Sequence, residues 1–288
     1  MKNDKRDPIL VGDNGSDQTN DALALAKLLR DALGGPVVRA SISPRESDPA
    51  DGLRELAVEH RAQLLVVGSS HRGPVGRIFP GSVGRKLLRG VPCPLAIAPR
   101  GFAGRAQALE AVAAGFDGTD GAEHAVRAAA DLALKAGATL RVVAVLDTMG
   151  RMYLGPERPG VMKTLRTELA KRLDQVLESL PTGLPREARL LSGPLPRTLL
   201  AEVADGIDLL VVGSRASGPI GSVLVGSVSS ELAESSPVPL LIVPRRAPGQ
   251  PAGESSQRSM SEADEAPGRS VRSGRWRDAE TSASSSNT

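Results

Sequence analysis

Two glycine-rich segments hold the residues best suited to chemistry in this chain. One is LLVVGSSHRGPVGRIFPGSVGRKLLRGVPCPLAIAP, from Leu64 to Pro99; the other is LLVVGSRASGPIGSVLVGSVSSELAESSPVPLLIVP, from Leu209 to Pro244. Each reads as an apolar strand, a loop punctuated by glycine, and the start of a helix. The helix starts are Gly81–Ser82–Val83 and Gly226–Ser227–Val228. Backbone N–H groups at such a start, approachable because glycine has no Cβ, form a seat for phosphate or another anion. No paired carboxylates and no Ser/His/Asp or Cys/His order accompany them, so no catalytic residue is expected. The span Gly76 to Ser82 has the glycine spacing of a phosphate-loop NTPase but lacks its lysine, and the dinucleotide fingerprint is absent. The chemistry expected is binding.

The two segments are copies. They align at a constant offset of 145 residues, without insertion, and 18 of 36 positions are identical. Val11–Ser16 (VGDNGS) likewise resembles Ala114–Thr119 (AGFDGT), but at an offset of 103. The difference, 145 − 103 = 42, means that the first copy lacks about 42 residues that the second possesses. In the second copy that stretch holds a long amphipathic helix over 161–180 and a short strand over 187–191. The first copy has therefore lost one helix–strand crossover.

The elements that must position these loops alternate strand with helix, the pattern of a parallel sheet with crossover helices. In the first half, strands are expected over 9–11, 37–42, 64–68 and 95–98, and helices over 19–33, 49–60 and from about 82 to 89. In the second, strands are expected over 111–116, 139–146, 187–191, 209–213 and 239–243. Helices should cover 120–136, 161–180, 196–204 and 227–235. Gly137 is placed to end one helix, and Pro181 to block another. The expected organisation is a shortened domain over 1–100, a linker over 101–109, a full domain over 110–244 and a tail over 245–288. The tail is rich in Ser, Arg, Glu, Pro and Gly, a composition that cannot bury a core and reads as disordered.

Composition narrows the function classes. Only five residues are aromatic, too few for a base-stacking platform, and a net charge of +3 in 288 residues provides no strong duplex-binding face. No nucleic-acid partner is expected. No apolar run approaches the ~20 residues needed to span a bilayer, and the start of the chain is polar without a signal-peptide core. No membrane contact is expected, and a cytoplasmic location is. The lone cysteine, Cys93, reads as a small buried residue, with no metal-ligand spacing around it.

The pattern G-x2-G-x9-G-(S/T) after the fourth strand, with Asp117 closing the first strand and VPLLIVP closing the block, resembles the universal stress protein family in its tandem form. The resemblance covers nearly everything from Ile9 to Pro244 outside the linker. It implies two tandem flavodoxin-like doubly wound α/β domains, of the adenine-nucleotide α-hydrolase-like kind. It also implies adenine-nucleotide binding, with ATP and an accompanying Mg ion as the reference ligand, and dimerisation through the last strand. Carried over to the second half, Asp117 stands where the family contacts the adenosine, and Val145 where an apolar residue lies against the base. Gly213, Gly226 and Ser227 fill motif positions, Ala216 replaces the second glycine, Val228 follows, and Ser229 matches a hydroxyl position reaching the phosphates.

In the first half, Asn14 occupies the Asp position, or Asp13 substitutes from one residue away. Gly68, Gly81, Ser82 and Val83 match. His71 replaces the second glycine and Gly84 the hydroxyl, while Arg85 and Lys86 could add positive charge. His71 would put a ring where phosphate should meet backbone, so the second half is expected to be the main site. The expected function is a regulatory, stress-related adenine-nucleotide binder in which any ATP hydrolysis is slow. The alternative is a nucleotide-independent interaction module in which the glycine loops are structural. PLAIAP and PLLIVP are apolar edge strands bounded by proline, and an exposed apolar edge invites pairing. The two halves are expected to pair there as an intramolecular pseudo-dimer near Ile97 and Ile242, with a homodimer of chains as a further association.

Overall fold

The computed structural model describes residues 7–41, 48–105, 108–148, 159–214 and 227–244. The expected tail, 245–288, lies outside them, as do Ala216 and Gly226. The chain to Arg246 is one compact unit. Its first half runs β1 (Ile9–Asp13), α1 (Asp17–Leu33), β2 (Val37–Ser41), α2 (Pro49–Glu59), β3 (Leu64–Gly68), α3 (Ser82–Leu87) and β4 (Leu95–Ala98). A 3-10 turn, Phe102–Gly104, leads into β5 (Ala111–Phe116), α4 (Asp120–Ala136), β6 (Thr139–Asp147), α5 (Pro159–Glu178) and β7 (Arg186–Gly193). There follow α6 (Leu195–Val203), β8 (Leu209–Gly213), α7 (Ser227–Ser235) and β9 (Leu240–Val243). The crossover α5–β7 has no counterpart in the first half, as the two offsets require.

Local chemistry sets the element ends. Ser16 caps α1 by accepting from the Gln18 N–H, so the helix starts two residues earlier than its apolar spacing alone suggests. Thr119 caps α4 by accepting from Ala122 N–H, and Gly137 ends it in the left-handed region at φ 69°. The buried face of α4 is mostly alanine, which lets the helix lie close to the sheet.

Among the described residues, nine strands form one sheet in the order β2-β1-β3-β4-β9-β8-β5-β6-β7. Strands within each half are parallel, and the halves join antiparallel through β4 and β9. The register is Leu95 opposite Ile242, Ala96 opposite Leu241 and Ile97 opposite Leu240. Ile97 therefore faces Leu240 across the junction, and Ile242 faces Leu95. Helices α1, α4 and α5 cover one face of the sheet, while α2, α3, α6 and α7 cover the other; each core runs through both halves. The connection between halves is pinned as well. The buried Asp21 carboxylate accepts from the N–H groups of Gly101 and Ala103, both at 2.8 Å.

Losing the crossover left a chemical mark. In the second half α5 covers Phe116 and Val142 of β5 and β6, and all three belong to one core. At the shorter offset of 103, the matching residues are Asp13 and Arg39. These form an ion pair, with Arg39 Nη2 at 2.7 Å from Asp13 Oδ2. An apolar pair buried under a helix corresponds here to a charged pair between β1 and the edge strand β2, with Asp13 nearly buried and Arg39 half exposed. A charge on β2 also discourages edge-to-edge pairing.

Candidate functional site

The second-half cavity opens at the carboxyl ends of β5, β6 and β8, where open α/β sheets bind ligands. It measures about 680 Å³, within the range of small-molecule sites. Five of the expected residues, Asp117, Val145, Gly213, Val228 and Ser229, line it together. Ser227 starts α7, but its side chain lies outside the described residues.

Asp117 lies on the turn after β5. Its Oδ1 accepts from Thr119 N–H at 3.0 Å and from the Thr119 hydroxyl at 2.6 Å. One carboxylate oxygen thus shapes the turn that caps α4, while the residue as a whole faces the cavity. Val143 and Val145 of β6, with Leu195 and Leu199 of α6 and Val212 of β8, make an apolar wall. The opposite rim carries Ser214 and Ser229, both almost fully buried, with Ser229 Oγ 3.5 Å from the Gly213 carbonyl oxygen.

Gly213 has a packing reason to be glycine. A Cβ there would lie 2.6 Å from the Gly121 carbonyl oxygen, inside the first turn of α4. Gly68 is in the same position, with a Cβ only 2.2 Å from the Gln18 oxygen. Gly81 differs: its Cβ would meet only the Ser70 side chain, at 3.6 Å, with φ at −72°. Packing therefore demands the first motif glycine in each half, but not Gly81.

The first half has a cavity of about 1070 Å³ at the matching place. Asn14, Gly68, His71, Gly81, Ser82 and Val83 line it, and so does Asp13. The structure decides between Asn14 and Asp13. Asn14 Oδ1 accepts from the Ser16 N–H at 3.2 Å and hydroxyl at 2.6 Å, the same pair of bonds that Asp117 receives from Thr119. Asn14 is the counterpart. Asp13 is committed elsewhere, accepting from Gly15 N–H, Thr19 Oγ1 and Arg39 Nε at 2.8, 3.0 and 2.8 Å. The Gly15 amide above all, with help from Thr19 and Arg39, holds its carboxyl below the usual range despite burial.

Side chains in this first cavity bond to one another. Asn14 Nδ2 donates to Gln18 Oε1 at 3.1 Å, and Gln18 Nε2 lies 3.2 Å from His71 Nδ1. Gln18 stands at the position of Gly121, so in the first half a long side chain on α1 reaches His71. Gly84 is explained by Pro80, whose Cβ a Gly84 Cβ would approach to 3.0 Å. Arg85 lines the cavity and stacks over Phe79 with 5.3 Å to the ring centroid, but Lys86 is paired with Asp48.

Arg172 of α5 also lines the second cavity, donating from Nη1 to the Gly118 oxygen at 2.7 Å. Sequence reasoning passed over it, because a Glu168–Arg172 pair one helical turn apart reads as an ordinary solvated face. Its signal lies in the loop it meets, where Gly118 adopts φ +81°.

The sequence model of the universal stress protein family matches residues 25–99 and 109–244, one block in each half. The chain belongs to the universal stress protein family. Universal stress protein Rv2319c of Mycobacterium tuberculosis is 30% identical over 200 residues, covering 67% of this chain and 68% of that relative. A universal stress protein of Thermus aquaticus is 37% identical over 130 residues, covering 43% of this chain and 93% of the relative. Among solved structures, a universal stress protein from Archaeoglobus fulgidus superposes with a TM-score of 0.60 at 16% identity, covering 84% of this chain and 99% of that one. That likeness is one of fold. Among the described residues, no helix is long and apolar enough to cross a membrane.

Proposed function

We propose that this chain is a regulatory adenine-nucleotide binder of the cytoplasm, with ATP or a relative held in the second-half cavity. The observation that carries the reading is the meeting of Asp117, Val145, Gly213, Val228 and Ser229 around one opening at the strand ends. The apolar wall of Val143, Val145 and Leu199 suits a planar base, and the Ser214–Ser229 rim suits polar oxygens. A magnesium ion would arrive with the phosphates, as this hard cation prefers oxygen ligands. Among the described residues, Asp117 and Asp120 are the carboxylates lining the cavity. The first half is read as the weaker site, because Asn14, Gln18 and His71 are bonded among themselves. The apolar edges of β4 and β9 are used within one chain, so a second copy would have to associate through another surface.

A second reading has its own support. The close packing of Gly68 and Gly213 against helix backbones suits an interaction module whose motif glycines serve the fold. Acid precipitation of the purified protein, followed by absorbance and mass spectrometry of the supernatant, separates the two. Released adenine nucleotide in proportion to chain supports binding. Its absence, together with no uptake of added ATP, supports the interaction module.

A further inference from the structure

The family-motif positions account for only part of the wall of the second cavity. Arg172 also contributes, from α5, the crossover helix that the first half lacks. Its side chain is half exposed, yet the guanidinium is held at two points. Nη1 donates to the Gly118 carbonyl oxygen at 2.7 Å, and Nε donates to Glu168 Oε1 at 3.3 Å. The stem lies along the turn, so that a Cβ on Gly118 would meet Arg172 Cδ at 3.3 Å. Among the described residues no acceptor takes Nη2. A cation held at two points thus stands beside the Asp117 turn.

We propose that Arg172 contacts the nucleoside end of the ligand in this cavity, which makes α5 part of the binding site; the proposal rests on the nucleotide reading above. Arg172 is bonded to the residue after Asp117, on the β5 side of the opening, whereas Ser229 and the start of α7 lie beyond β8. A guanidinium plane can donate to ring nitrogens or sugar oxygens and can lie against the face of a base. Among the described residues, the arginines lining the first cavity are Arg72 and Arg85, from the loop after β3 and from α3 rather than from a crossover helix, while Arg39 of β2 points both Nε and Nη2 at Asp13 Oδ2, at 2.8 and 2.7 Å.

Calorimetric titration of the full chain with adenosine and with ATP tests this, using wild type, Arg172→Ala and Arg172→Met. Methionine keeps an aliphatic stem over Gly118 and removes the fork. Both variants should weaken adenosine and ATP by the same factor, about tenfold for one lost charge-assisted hydrogen bond. A loss confined to ATP would place the guanidinium on the phosphates and overturn the proposal. Unchanged affinity for both ligands, or affinity restored by methionine, would overturn it too. Wild type that binds neither compound removes the nucleotide reading itself, an outcome distinct from wild type that binds while the variants match it.

Discussion

Alanine at Gly68, Gly213 and Gly81 should separate what the fold requires from what a ligand requires. At Gly213 the new methyl would lie 2.6 Å from the Gly121 oxygen and 2.9 Å from its carbon. Relief to an ordinary contact near ~3.4 Å needs a shift of about 0.8 Å, and backbone in a capped helix cannot move alone. Lifting α4 would loosen Ala122, Ala125, Val126 and Ala129 from the sheet. At Gly68 the approach is 2.2 Å, so α1 must yield further. Overpacking of this kind costs roughly 1–3 kcal/mol, and Gly68→Ala belongs at or above the top of that range. At Gly81 there is room. The helix-capping penalty of alanine, about 0.5–1 kcal/mol, is offset by a similar gain from a stiffer unfolded chain. For a unit of this size 1 kcal/mol moves the thermal midpoint by about 2–4 °C. Thermal unfolding followed by circular dichroism should give drops of roughly 6–12 °C for Gly68→Ala, somewhat less for Gly213→Ala and under ~2 °C for Gly81→Ala. A Gly68→Ala protein as stable as wild type, or a Gly81→Ala protein as damaged as the other two, would refute the packing argument.

Three further outcomes follow from the same structure. Burial pushes the Cys93 thiol up to about 12, so at pH 8 native protein should react with a thiol reagent roughly a thousandfold more slowly than unfolded protein, as a timed labelling assay will show. Asp13 has a lowered pKa in the fold, so its stabilising effect is complete above the ordinary carboxylate range and fades as pH falls through the folded value. Asp13→Asn should therefore melt below wild type at neutral pH, with the gap closing in acid; a gap constant with pH would speak against the ion pair. Paired cysteines at Ala96 and Leu241, which face each other across β4 and β9, should oxidise to a product of single-chain mass on non-reducing gels, whereas dimeric products alone would contradict the intramolecular junction.

The strongest sequence signals were the ones that packing rewards most directly. Leu64–Gly68 and Leu209–Gly213 are near-continuous apolar runs because helices cover both faces of their sheet, and both strands stand where the runs place them. The lost crossover was legible as a change of offset. The register of β4 on β9 was not, because an antiparallel contact between distant segments leaves no periodic trace. The roles of Asn14 and Asp13 were ambiguous for a related reason: two adjacent acceptors differ only in which turn donors reach them, which only the loop geometry reveals. Gly213 read as a ligand glycine, although its nearest neighbour is a helix carbonyl. Arg172 was hidden because helix periodicity ranks apolar faces and ignores what a long polar side chain can reach across a loop.

Titration of the purified chain with ATP, alongside Asp117→Ala and Asn14→Ala, asks whether the second-half cavity holds the nucleotide. The two residues hold matching turns in the two halves, so each variant perturbs one cavity by the same local change. One nucleotide should bind per chain, weakened by roughly 1–3 kcal/mol in Asp117→Ala, as expected for a lost charge-assisted contact, and unaffected in Asn14→Ala. Binding that survives Asp117→Ala and disappears in Asn14→Ala would place the ligand in the wrong half, and wild-type protein that takes up no nucleotide would contradict the claim outright.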